Sequence, residues 1–199
     1  MFCVVTGEKA CKCDRDNTYP GIIVTEQSTM RKLWTDHAVY TKFAIDAIIG
    51  YADGNALVDA LVPRLMTNQE EIGEEVAKYV GDELGHQLAE LLKTHIKLAA
   101  GVMMAVKGGT QQQAKLAVAE LLDNSDQVAD YIACFTNCDD EFLRSEFRRH
   151  NMYVLEMTLL RYLGHHIKEY QKYDSYYSHM IMFSDIIYSG ISNDYVHGH

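Results

Sequence analysis

Proline is almost missing from this sequence: 2 in 199 residues, Pro20 and Pro63. With so few breakers, long helices can run without interruption. No apolar run reaches membrane-spanning length, and the first residues lack the layout of a signal peptide. The expectation is a soluble, intracellular (cytoplasmic) protein with no membrane partner. Positive charge is also short. Lys and Arg number 18 against 28 Asp and Glu, a formal net charge of -10, which argues against a general nucleic-acid binder. The 5 cysteines, Cys3, Cys11, Cys13, Cys134 and Cys138, are odd in number and unevenly spread, unlike a disulfide framework, and neither close pair has zinc-finger spacing. There is no glycine-rich phosphate loop, no nucleophile elbow, no HExxH and no paired Glu-x-x-His.

What remains is a helix-forming chain. Hydrophobic residues make up 48%, with 9 Met and 13 Tyr, enough for a real core. Tyrosine and methionine in this quantity suit gap filling and an oligomer interface, so a homo-oligomer is the expected partner. The clearest stretch is 82–107, where Leu84, Leu88, Leu91, Leu98, Ala99, Val102 and Val106 share one face. Helical stripes also run through about 28–50, 111–135, 140–163 and 165–190. Between the first two lies a crossover, 55–80, read as short helices broken at Pro63 and restarted by the capping boxes Thr67-x-x-Glu70 and Asn68-x-x-Glu71. The pattern predicts an all-α fold: one up-and-down bundle of four to five long antiparallel helices with a short-helix crossover. It divides as an irregular, cysteine-bearing N-terminal arm (1–27), the bundle (28–191) and a frayed tail (192–199).

One residue in the 82–107 stripe is not apolar. His95 lies between Leu91 and Leu98, and a buried imidazole needs a partner. His37 and His150 hold the same position in their own stripes, and His179 lies at the edge of the last one. Counting outward from each turn puts His37, His95, Asp126, His150 and His179 at one height. Asp126 enters through a stripe read as Ala114, Val118, Leu122, Ala129 and Ala133, and Asp185 is the alternative to His179. Such a layer suits a transition metal, zinc or iron first. Thr41, Thr94, Asn124, Ser125 and Tyr177 lie near enough to hold the ligands. The layer can equally be a metal-free hydrogen-bond network in a non-catalytic structural or interaction protein. Whether the protein is an enzyme stays open. Five further histidines, His86, His165, His166, His197 and His199, read as surface or turn residues.

Several segments resemble one family. Trp34-x-x-His37-x-x-Tyr40-Thr41 and Asn68-Gln69-x-x-Ile72-Gly73 are similar to its opening signature. Leu91-Leu92-Lys93-Thr94-His95-Ile96, Ala99-Ala100 and Lys107-x-Gly109 are similar to its second. Asn124-Ser125-Asp126, Arg149-His150, His179 and Ser184-Asp185 through Ser189-Gly190-Ile191 complete the resemblance, which covers roughly residues 30–191. The family is a set of uncharacterised helical proteins, mostly from Gram-positive spore-forming bacteria, with copies expected in large DNA viruses. Labels such as glycosyltransferase and acetylglutamate kinase attach to it, and no residue here supports either activity. The resemblance implies a helical fold with the same histidine positions and no known reaction. Thr94 and Arg149 stand where the family has acidic residues, so acids supporting those two histidines would be missing here.

Overall fold

A computed structural model describes residues 25–51, 56–136 and 138–197, with side chains given as far as 192. Among these residues the chain forms six α-helices: α1 Glu26–Gly50, α2 Ala56–Val80, α3 Asp82–Gly108, α4 Gln111–Thr136, α5 Asp140–Tyr162 and α6 His166–His197. The expected arm lies almost wholly outside the described residues. Within them no helix is long and apolar enough to cross a membrane.

The all-α expectation holds, and the helix count is corrected from four or five to six. What read as a broken crossover is one helix of 25 residues running through Pro63. The Thr67 and Asn68 capping boxes start nothing. Asn68 is fully buried, and its amide donates to the Leu33 carbonyl at 3.0 Å. Pro63 survives because it is exposed near the start of α2. The Asp59 carbonyl it leaves without an intrahelical donor can be solvated there. Replacing it should therefore strengthen α2: Pro63→Ala is expected to raise the free energy of chemical unfolding by about 1–3 kcal/mol.

Local chemistry sets the other ends. Thr25 caps α1, its side chain accepting from Ser28 N at 3.1 Å. Asp139 caps α5, accepting from Phe142 N at 2.7 Å. Gly164 makes the turn into α6 with φ +73, a left-handed conformation that glycine adopts without strain. The last helix continues past the expected fraying point to His197.

Each helix runs antiparallel to the one before it. Gln69 of α2 meets His37 of α1, and Lys93 of α3 meets Glu70 of α2. Asn124 of α4 meets His95, and Arg148 and Arg144 of α5 meet Asp126 and Asp130 of α4. Lys172 of α6 meets Glu156 of α5. Finally α6 returns to α1, where the Asp185 carboxylate takes two bonds from the Arg31 guanidinium at 2.6 and 2.7 Å. One apolar core, including Trp34, Ile72, Leu88, Leu92, Val128, Phe147, Met157 and Phe183, joins all six. The helices are similar in length and joined by short turns, so their midpoints fall at one height. His37, Asn68, His95, Asn124 and Asn151 each lie within a residue of the midpoint of their helix.

Candidate metal centre

Polar side chains meet at that midplane. His37 from α1, His95 from α3 and His150 from α5 are each at most 5% exposed. His150 is central, its ring centroid 5.5 Å from His37 and 5.8 Å from His95. Phe147 packs edge-on to His95, Trp34 edge-on to His37, and Tyr176 lies 5.3 Å from His150. The imidazoles therefore sit inside an aromatic wall that keeps water away.

Every Nδ1 in the trio is occupied by a partner from another helix. His95 Nδ1–H donates to Asn124 Oδ1 at 2.9 Å. Because that oxygen can only accept, His95 carries its proton on Nδ1 and leaves Nε2 as a lone pair. Nδ1 of His150 faces the Met180 thioether at 3.1 Å, again an acceptor. His37 differs: the Gln69 amide nitrogen faces its Nδ1 at 3.2 Å. The same nitrogen also donates to the Leu65 carbonyl at 2.8 Å and to Asn68 Oδ1 at 3.1 Å. Two amide protons cannot serve three acceptors, while Gln69 Oε1 has no hydrogen-bond partner. Both amide protons are used by the Leu65 carbonyl and Asn68 Oδ1; turning the amide over would let His37 Nδ1–H donate to Oε1 but would set Oε1 against those two oxygens.

Burial keeps these rings neutral. It pushes His37 down to about 3, helped by the neighbouring His95, and His95 down to about 4 against its hydrogen bond to Asn124. His150 is pushed well below the usual histidine range by burial, then by His37, His95 and His179. At neutral pH the cluster is three neutral imidazoles, the form that binds metal.

The other expected members stand elsewhere. His179 is buried on α6 but turns toward Glu146, with Nδ1 3.6 Å from Oε2. It stacks on Phe183 and lies 5.5 Å from Tyr153. Burial and then the charge of Arg149 lower it to about 4. Asp126 does not join the layer. It is partly exposed and accepts from the Arg148 guanidinium, Nε at 2.9 Å. Of the expected α4 stripe Ala129 is buried, but the inward face is turned by about one residue, with Leu121, Asn124, Ser125, Val128 and Ile132 inside. Asp185, the alternative to His179 on α6, is held by Arg31 and Gln27. Thr94 is exposed, and Tyr177 packs against Tyr173, leaving Tyr176 to face the layer.

Sequence reasoning missed Glu146, Asn151 and Gln69. Glu146 is 4% exposed and lies one turn before His150 on the same helix, a spacing that could have pointed to it. Arg149 covers its other oxygen at 3.3 Å. Asn151 is fully buried and donates to Ser125 Oγ. Around the layer Trp34 Nε1, Gln69 Oε1, Asn151 Oδ1, Glu146 Oε2 and His179 Nε2 are buried without a hydrogen-bond partner. Orphans of this kind cost free energy unless water or an ion serves them. Among the described residues, no three His, Cys, Asp or Glu side chains already stand at ion-holding distances.

A second polar cluster is structural. Lys42 and Glu169 are both almost fully buried and pair at 2.9 Å, with Asp46 2.6 Å from Lys42 and the Arg161 and His166 side chains closing the outside. The Lys42 ammonium also lies 4.7 Å from the Tyr170 ring. Its charges answer one another, and it ties the α5–α6 turn to α1. Comparisons of the chain with protein-family models, with curated proteins and with solved structures find no match.

Proposed function

We propose that this protein is a metal-binding helical bundle, holding a transition metal ion, zinc or iron(II), through Nε2 of His37, His95 and His150. One observation carries the reading: three neutral, buried imidazoles adjoin one another, and their Nδ1 atoms are tied to other side chains. Fixing Nδ1 in this way is how proteins orient histidine ligands and direct Nε2 toward a metal. The ring spacing fits with a small adjustment. Nitrogens about 2.0–2.1 Å from a tetrahedral ion place two ring centroids roughly 5 Å apart. The observed 5.5 and 5.8 Å for the two pairs that share His150 are wider by less than 1 Å, so the side chains must draw inward to close around an ion.

Asp126 has no part in this assignment, and His179 belongs to a pair with Glu146. An ion with three imidazole ligands keeps a coordination position open and supplies Lewis acidity to whatever binds there. The chain's own contribution is to exclude water with Trp34, Phe147 and Tyr176. Asn151 and Gln69 add unsatisfied amide oxygens beside the site.

Calorimetric titration of the metal-free chain with zinc at neutral pH tests the reading. One ion is expected per chain. His37→Ala, His95→Ala and His150→Ala should each weaken binding by about 100-fold or more, since a lost ligand costs more than a lost supporting contact. Asp126→Asn should bind as the wild type does. No uptake by the wild-type chain, with a melting temperature indifferent to zinc and to chelator, would overturn it. The second reading, a metal-free polar core in a structural protein, would then stand, and the lack of a ready-made three-ligand cage favours it.

A further inference from the structure

A small cavity lies beside the histidine layer, between α1, α2 and α3. It measures about 20 Å³ and is lined by Thr41, Ala44, Ile48, Leu65, Ile96 and Met103, with Val62, Ala99 and Ala100 completing the wall. Thr41 lies one turn along α1 from His37, and Ile96 follows His95 on α3, so the cavity begins about one helical turn from the imidazoles. A volume of this size holds one water-sized body. Its chemistry disfavours water. A stable buried water makes about 3 hydrogen bonds. Thr41 Oγ1 is the one polar side-chain atom on the wall; it is buried without a hydrogen-bond partner and would offer a water that single contact, while the lining backbone groups are engaged in helices.

We propose that this cavity is a binding compartment for a small apolar ligand of the size of dioxygen, placed to deliver it to the histidine layer. Apolar walls impose no desolvation cost on such a molecule, and the Met103 side chain can adjust to it. Ala44, Ala99 and Ala100 are what keep the space open: any longer side chain there would enter it. The proposal deepens the assignment of the layer as a metal centre but does not need the metal to be present. The compartment is made by α1, α2 and α3 alone.

Dioxygen is both ligand and probe, because it is paramagnetic. Methyl relaxation of the metal-free chain is measured by NMR under a few atmospheres of dioxygen. The Ile48, Leu65 and Ile96 methyls are expected to relax several-fold faster than Ile72 and Ile132, which are equally buried but distant from the cavity. Ala99→Leu should abolish the difference, and Ala44→Leu is the second variant should that one fail to fold. Leu65→Ala, which enlarges the space, should increase it. Equal relaxation of all buried methyls would overturn the proposal, as would a water signal in contact with the Ile48 and Ile96 methyls. A zinc titration that fails while the dioxygen effect persists would remove the metal and keep the compartment.

Discussion

Between pH 7 and pH 5 the protein is expected to lose about 4 kcal/mol of folding stability through His37 and His95 alone, at roughly 2 kcal/mol for each. Both groups titrate lower in the folded chain, about 3 and about 4, than their ordinary value of 6.5. Below 6.5 the unfolded chain therefore binds protons that the folded chain refuses. Stability is intact above that value and falls as pH drops toward the folded values. His150 and His179 are lowered as well and act in the same direction. Typical domains have 5–15 kcal/mol in total, so mild acid should come close to unfolding this one. Chemical denaturation at a series of pH values is the measurement. A flat unfolding free energy from pH 7 to 5 would mean that the rings are not buried as neutral groups. His95→Gln, which keeps an amide in the layer, should reduce the slope. Acid loss from Glu169 is separable: burial pushes that carboxyl up, but Lys42 and His166 together outweigh it and hold it below its ordinary value of 4.5. Its contribution disappears only below that value.

Gly85→Ala is expected to destabilise the fold by about 3 kcal/mol or more, the upper range for forcing a methyl into a packed interface. Gly73 and Gly85 face each other where α2 and α3 cross, just before and just after the Gly81 turn. A Cβ on Gly73 would stand 2.5 Å from the Gly85 carbonyl oxygen and 2.8 Å from Ala89 Cβ. A Cβ on Gly85 would stand 2.5 Å from Ala77 Cβ, and 2.9 Å from Ala77 Cα. Backbone cannot yield as a flexible side chain does, so the helices must separate. That separation would also draw α3, and His95 with it, away from the other imidazoles. Denaturation of Gly85→Ala against Gly101→Ala tests the argument, because a Cβ at Gly101 meets nothing within 4 Å. Gly101→Ala should be neutral or slightly stabilising, since alanine is the better helix former. Equal effects would show that the α2–α3 approach is not tight.

The histidine positions were legible in the sequence because each is one polar residue in an otherwise apolar helical stripe. Their common level has a different origin from the one the sequence pattern suggests, in which α1 and α3 are antiparallel neighbours across a short crossover. The crossover is in fact a full helix, so α1 and α3 run parallel. His37 and His95 remain level because α2 is as long as its neighbours and returns the chain to its starting height. Asp126 was misplaced because it shares a face with the buried Ala129 and with Leu122, about one residue away from Leu121, Ser125 and Val128, which point fully inward. Apolar periodicity is too broad to distinguish two faces separated by one helical step. Asn124 occupies the place that Asp126 was expected to hold.

By itself the sequence determined that this chain is helical, because it has two prolines and sustained apolar periodicity, and that imidazoles lie in the core, because they interrupt those stripes. It also made the capping at Asp139 and the turn at Gly164 readable, since both are local backbone chemistry. The tertiary structure decided which polar groups meet. Gln69 and Asn151 adjoin the layer, Glu146 pairs with His179, and Asp126 and Asp185 go to surface arginines. That choice depends on the rotation of each helix about its axis. Rotation is set by close contacts such as Gly73 against Gly85 and by the shared burial of Trp34, Phe147 and Phe183, which no single helix carries in its own sequence.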